Sequence, residues 1–322
     1  MGYGGCVVVR RLMISAAMLC LASCCAAQGG AVAGQTGDGA LVSYRRAATV
    51  SPSFWKYWGD GQAELSGYEV ITERYGKLRK GRAVLIFVTE THDRRHWVKD
   101  DRGTAPLRDR VSVLKLNRTL NFQTGIYPYS VMTSVFSPVD RGVGRAAFAP
   151  TKITLSAQEW CGHVYHKLLA GRGGFHSELR SYFGDEGNSV EQVTTAEQVV
   201  YEDALLIQLR ELDGAFAGGK DFRGQMIPAL WRLRKLHERP RAVAVEILRS
   251  SAQYAGQAAT RFEIRVAGWP TEQIYVETRY PRKILGWTDA AGARATLKKS
   301  ARLAYWRLNR PGDEQALERL GL

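Results

Sequence analysis

The sequence predicts a mainly β protein: a large curved antiparallel sheet or open barrel, with one or two helices around 199–237. Three observations carry this. Runs of about ten residues rich in β-branched and aromatic side chains recur along most of the chain. Short turn signals separate them, so successive runs can pair as hairpins. Helical periodicity is confined to two stretches. The length also allows two sheet lobes joined by the helical stretch, a candidate subdivision near 199–240.

The β region opens after Phe54, where Lys56-Tyr57-Trp58 precedes the turn signal Gly59-Asp60-Gly61. The first strand is expected over Ser66 to Tyr75, followed by a turn through Gly76 and Gly81, then a strand over Arg82 to Glu90. Val70, Thr72 and Arg74 alternate imperfectly with Glu69, Ile71, Glu73 and Tyr75, which suits strands partly buried on both faces. Further strands are expected at Val111 to Leu116, Tyr129 to Phe136 and Lys152 to Trp160. Val199 to Leu212 reads as a helix, with Tyr201, Leu205, Leu209 and Leu212 on one stripe and Asp213-Gly214 as its stop. Met226 to His237 is a second helix candidate, with Pro228 near its start, where proline is tolerated. Strand patterns resume at Ala242 to Leu248, Thr260 to Ala267, Gln273 to Arg279 and Ala293 to Lys298. No repeat of fixed period is seen.

The first 23 residues have the shape of a secretory leader: Arg10 and Arg11, then the apolar stretch Leu12 to Leu21, too short to span a bilayer. Its end, Leu21-Ala22-Ser23-Cys24, looks like a bacterial lipobox, in which Cys24 becomes the first mature residue and is acylated with chains such as palmitate. The plain alternative is an ordinary leader with a chance cysteine. No later stretch is apolar enough to span a membrane, so the expected anchor is acylated Cys24. Cys25, not an aspartate, follows it, and by common sorting rules this leans to the periplasmic face of the outer membrane rather than the inner membrane. Residues 24–43, small and polar, read as a flexible tether, leaving 44–322 as the β-rich envelope domain.

Lys and Arg outnumber Asp and Glu by 45 to 31, a formal charge of +14. A basic surface favours anionic envelope surfaces as partners, while export argues against nucleic acid. The charge is dispersed, apart from short runs such as Lys77-Leu78-Arg79-Lys80. Cys25 and Cys161 would remain beside acylated Cys24. An oxidising compartment would permit a bond between them, but the spacing does not read as a disulfide scaffold.

The densest polar cluster runs from Gln158 to His166. On a strand, Glu159, Cys161, His163 and Tyr165 would share one face. Glu159, Cys161 and His163 are thus the candidates for a metal site or for a nucleophile with its base. Strand spacing is wide for chelating one ion, and ordinary polar groups bonding between strands read better. His92 and His96 stand four apart, a spacing that would pair them on a helix, but Asp93 replaces the glutamate of a helical zinc-protease motif and a charged surface loop reads better. Phosphate-binding glycine motifs and a G-x-S-x-G elbow are absent. Phe54, Trp55, Tyr57, Trp58, Tyr68, Tyr75, Tyr127 and Tyr129 could line an apolar cavity, though a packed aromatic core reads better.

The stretches YWGDGQAELSGYEV (57–70), GRAVLIFVTE (81–90), VSVLKLN (111–117), FQTGIYPYSVMTSVFSPV (122–139), QEWCGH (158–163) and LKKSARLAYWRLNRPGDE (297–314) resemble a family of uncharacterised bacterial lipoproteins often labelled "septum formation inhibitor Maf". The resemblance implies an exported lipoprotein and carries over Glu159, Trp160, Cys161, Gly162 and His163 without a role. Maf proteins proper are α/β nucleotide pyrophosphatases with an S-x-S-P-R-R block, which this chain lacks. The expected function is therefore non-enzymatic: a membrane-anchored envelope protein that binds a lipid or other apolar ligand, or serves structurally, with no cofactor. A hydrolase or metal site at Glu159, Cys161 and His163 is the alternative, and Maf-type nucleotide hydrolysis a distant third.

Overall fold

The computed structural model describes residues 50, 52–139, 148–171, 173–196, 199–212 and 221–322. The leader, Cys24, Cys25, the tether and the Asp213-Gly214 stop lie outside these. Residues 42–322 form one compact unit.

The chain enters through a short helix, α1 (Pro52–Trp58), and then builds nine strands in turn. These are β1 (Ala63–Arg74), β2 (Lys77–Asp93), the two-residue β3 (Val98–Lys99), β4 (Arg110–Thr124), β5 (Tyr127–Pro138), β6 (Lys152–Glu159), β7 (Gly162–Gly171), β8 (Gly174–Ser181) and β9 (Asn188–Thr194). A central segment follows: β10 (Val199–Tyr201), helix α2 (Leu205–Glu211), β11 (Phe222–Ile227) and helix α3 (Leu230–Leu236). The remaining strands are β12 (Val243–Tyr254), β13 (Gln257–Arg265), β14 (Glu272–Glu277), β15 (Ile284–Asp289) and β16 (Arg294–Leu303).

All sixteen strands of the described residues belong to one sheet. Its order is β10-β11-β12-β13-β14-β15-β16-β1-β2-β4-β5-β6-β7-β8-β9, with β3 added to the end of β2. Every pairing is antiparallel except β10 with β11. The two arms on either side of 199–240 are halves of this one sheet, joined where β1 pairs with β16. The sheet path ends at β9 and β10, so the structure is an open barrel, as the strand pattern predicts.

Local chemistry explains the hairpins. Tyr75-Gly76 joins β1 to β2 with both residues at positive φ, the mirror-image turn whose twist matches paired strands. β2 begins at Lys77, so the expected turn through Gly81 is shorter than the sequence suggests. Gly81 sits inside the strand, where a Cβ would meet the Asn121 carbonyl oxygen at 2.5 Å. The imperfect alternation of β1 also has its cause. A 3-10 segment, Asp313–Leu320, covers the outer face of its first half, and Leu65, Val88, Leu303 and Leu320 form a small second core there.

The helix expectations need correction. Only Leu205–Glu211 of the 199–212 stretch is α-helical; Val199–Tyr201 is strand and Glu202–Ala204 a single 3-10 turn. Likewise Met226 and Ile227 end β11, and the second helix starts only at Leu230. In both cases apolar residues continue from a buried strand into a buried helix, so periodicity reads the two as one.

Helix α2 is hydrophobic nearly all round because it runs inside the barrel. Leu205, Leu206, Ile207, Gln208, Leu209 and Arg210 are all buried. They join one core with residues from both arms, including Leu85, Leu116, Leu155, Phe175, Ile247, Phe262 and Ile274. Burying each such aliphatic side chain stabilises by about 1.5–3 kcal/mol. Helix α3 crosses one mouth of the barrel. Its Trp231 ring meets Phe122 and Tyr129 on one arm, and its Arg232 pairs with Glu272 on the other. Helix α1 packs at the opposite mouth, with Trp58 fully buried against Phe87.

Candidate functional site

The predicted cluster around Glu159 is a hairpin turn, not a continuous strand. Glu159 pairs with Gly162 and Gln158 with His163, leaving Trp160-Cys161 as the two-residue connection. Cross-strand partners share a face, and successive residues alternate. Glu159 and His163 therefore lie on opposite faces, Glu159 buried and His163 exposed. The Glu159 carboxylate accepts the backbone N–H of Cys161 at 2.7 Å and so braces the turn. The Cys161 thiol is exposed and free, and the neighbouring Glu159 carboxylate pushes its pKa up, opposite to what a nucleophile needs. The three side chains do not converge.

His92 and His96 are likewise separated. His92 is the last residue but one of β2, buried beside the Phe136 ring, with Nε2 at 3.4 Å from Glu90. His96 is exposed in the following turn and bonds Asp93 at 2.7 Å. Among the described residues no three His, Cys, Asp or Glu side chains are placed to hold one ion.

The structure assembles three other polar clusters. At the α1 mouth, Arg210 is wholly buried and forms two bonds to Glu64, at 2.6 and 2.7 Å. Its guanidinium lies 4.8 Å from the Trp58 ring centre and 4.6 Å from that of Phe87, and its Nε donates to the Pro281 carbonyl. Tyr57 Oη donates to Glu64 at 2.5 Å, and Trp58 Nε1 to Glu211 at 3.1 Å. Glu64 is held below its ordinary range because the attraction of Arg210 overcomes the burial that opposes it. Glu211 goes the other way: burial outweighs the same arginine and raises it to about 7. Packed around by aromatic rings, this cluster joins α1, β1, α2 and the 278–283 loop.

At the α3 mouth, Glu202 and Asp203 accept the backbone N–H groups of Ala229 and Leu230, both at 2.9 Å, and so hold the start of α3. Burial raises Asp203 to about 7. Arg232 joins Glu202 to Glu272 across the barrel. Burial and the neighbouring Glu202 raise Glu272 to about 7.

The third cluster borders a cleft of about 340 Å³, partly open solvent, between β6–β8 and the end of α3. Leu155, Val164, Leu179 and Leu233 form its apolar side, and Glu186, Arg234, His237 and Arg239 its polar side. Glu186 binds Arg234, His237 Nδ1 at 3.0 Å and Ser181 Oγ at 2.8 Å. His166 bonds Ser177 Oγ at 2.9 Å. Burial, with some repulsion from Arg239, lowers His166 to about 4. The pair resembles a nucleophile and base, but Ser177 is 1% exposed, so the bond ties β7 to β8 out of reach of a substrate.

Sequence reasoning missed these clusters because their members stand far apart in the chain. One signal was legible: an arginine inside the apolar run Leu205 to Leu209-Arg210 demands a buried partner.

The body is an open, filled β barrel. No protein-family model matches the chain, and no curated protein does. Among solved structures it is similar to a beta-barrel-like protein of the domain of unknown function DUF1849 from Brucella abortus. The two are 10% identical, with a TM-score of 0.45, aligned over 76% of this chain and 98% of that one. A DUF1089 family protein from Pseudomonas aeruginosa is 11% identical, with a TM-score of 0.32, over 53% of this chain and 82% of that one.

Proposed function

We propose that the protein is an envelope lipoprotein, tethered through acylated Cys24 at the periplasmic face of the outer membrane. Its barrel is a rigid body that binds at its surface or serves structurally, and is neither an interior carrier nor a catalyst. The observation that carries this reading is the filled interior. Helix α2 occupies the space where a carried apolar ligand would sit. Of the eight candidate aromatics, Phe54, Trp58, Tyr68 and Tyr129 are buried in the core, Trp55 and Tyr75 are exposed, and Tyr57 and Tyr127 are half-buried. The side chains with catalytic potential are engaged in bonds that hold the fold, as in Glu64–Arg210 and His166–Ser177. An antiparallel barrel is also a different architecture from the α/β domain a Maf-type pyrophosphatase needs. The lipoprotein half rests on the leader, on the block Leu21-Ala22-Ser23-Cys24 and on the family resemblance.

Native mass spectrometry of the chain expressed with its leader and extracted gently from membranes tests this. The expected mature mass begins at Cys24 and includes its acyl chains. A mass without acyl groups sinks the tethered reading. A tightly held lipid-sized ligand would sink the filled-barrel half.

A further inference from the structure

β2 and β4 run on past the start of β1. Glu64 pairs with Phe87, yet β2 continues to Asp93 and there pairs with Arg110. The arm so formed, residues 89–114, overhangs β1 by about 17 Å at the strand rise of 3.3 Å per residue, while β5 still flanks it as far as Val113, which pairs with Pro138. It stands at the α1 mouth, where Thr89 donates to the Trp58 carbonyl. This is the end at which α1 leads into the barrel.

The loop at the tip of the arm is tightly built. Asp100 accepts the backbone N–H groups of Thr104 and Ala105 and pairs with Arg110. Asp109 accepts from Arg94, and Lys152 donates to the Trp97 carbonyl. This folding turns two carboxylates inward: the side chains of Asp100 and Asp109 are 4% and 5% exposed. Of the acids between 94 and 110, only Asp101 faces solvent, where it pairs with Lys99 at 2.6 Å. Arg95 and Arg108 are exposed while reaching the buried Asp109 at 3.3 and 3.7 Å, and Arg102 is exposed beside them. Six cations, Arg94, Arg95, Lys99, Arg102, Arg108 and Arg110, against the three carboxylates Asp100, Asp101 and Asp109 leave the loop net positive. Beside them project Val98 and Leu107, the latter 82% exposed. A fixed surface of cations with protruding aliphatic side chains fits a layer of anionic headgroups over hydrocarbon. The cations are attracted by the surface potential, and the aliphatic tips enter the boundary.

We infer that the 94–110 loop docks the barrel on an anionic lipid surface, through Arg95, Lys99, Arg102 and Arg108 with Leu107 and Val98 inserted. The inference takes from the tethered reading only that a membrane is nearby. It is tested without the anchor.

The test is co-sedimentation of the compact unit 42–322, which holds the whole sheet and core, with phosphatidylcholine vesicles with and without phosphatidylglycerol. Binding should require phosphatidylglycerol and weaken with salt. Each cation at such a surface contributes a factor of about five. The variant Arg102→Gln/Arg108→Gln/Leu107→Ser should therefore bind at least about tenfold more weakly, with an unchanged thermal melt. A matched variant at the other mouth, Lys77→Gln/Lys80→Gln/Ile126→Ser, also removes two cations and one exposed aliphatic residue, and it should bind within about threefold of the parent. Absence of vesicle binding overturns the inference and leaves this face to a macromolecular partner. Equal weakening by both variants overturns it too, since net charge alone would then explain the binding. Neither result bears on Cys24, which this unit lacks; only the mass of the mature chain decides that.

Discussion

Two glutamates at strand ends on the barrel wall, Glu64 and Glu159, do opposite jobs. Glu159 sits in a run dense with polar residues, yet it reaches only the backbone two residues on. Glu64 lies in a sequence with little to mark it, yet it anchors Tyr57 and Arg210, the latter 146 residues away. The local cluster shapes a turn; the dispersed one ties helices and strands together inside the core. Polar residues crowded in sequence are often satisfied by their own backbone, whereas a buried charge must recruit a distant partner.

The severest challenge to this contrast is Arg210→Met. It leaves Glu64 buried without its cation and should destabilise by about 3–5 kcal/mol, read from the urea midpoint. Replacing both partners, Glu64→Gln with Arg210→Met, should recover a large part of that loss. A single variant within about 1 kcal/mol of the parent would show that the pair contributes little. Next comes the helix that carries the arginine. Leu205→Ala should cost about 2–5 kcal/mol, because α2 is enclosed on all sides and the site cannot collapse. A cost below about 1 kcal/mol would mean the barrel is loosely filled.

A pH-dependent difference sharpens the comparison further. Folding raises the Glu211 carboxyl from its ordinary 4.5 to about 7, so over that window the folded chain holds a proton the unfolded chain gives up. Its contribution is full below about pH 4.5 and falls as pH rises through about 7. Glu211→Gln, which can still accept from Trp58, should gain on the parent between about pH 5 and pH 8, by on the order of 2 kcal/mol. Thermal melts of both at the two pH values measure it; a pH-independent difference would refute it. The smallest effects belong to the turn. Glu159→Ala should lose about 1 kcal/mol with its backbone bond. Cys161→Ser and His163→Ala should stay within about 0.5 kcal/mol, since both side chains are exposed.

The open antiparallel barrel was legible because β-branched runs and hairpin turns are local signals. What the sequence hid was non-local. The strand-to-helix changes after Tyr201 and after Ile227 fall between apolar stretches that are both buried, and Glu202-Asp203 fits the polar side of a helix as readily as a turn, so the period does not mark the change. The α1 helix, just before the Gly59-Asp60-Gly61 turn, is too short for periodicity to announce it. At the predicted site the misjudgement was of register: treating 158–166 as one strand put Glu159 and His163 on one face, and the two-residue turn puts them on opposite ones.

The sheet order has a last consequence. Its two free edges, β9 and β10, are consecutive in the chain, while its middle seam is made by the first and last strands. Leaving aside the small β3, the strand order is a cyclic rotation of the chain order. A circular permutant that joins the present ends and opens the chain between β9 and β10 would therefore run from one edge to the other in chain order, every neighbouring pair antiparallel except β10 with β11. It would turn the most distant pairing, β1 with β16, into a neighbouring one, and it should fold faster for that reason alone.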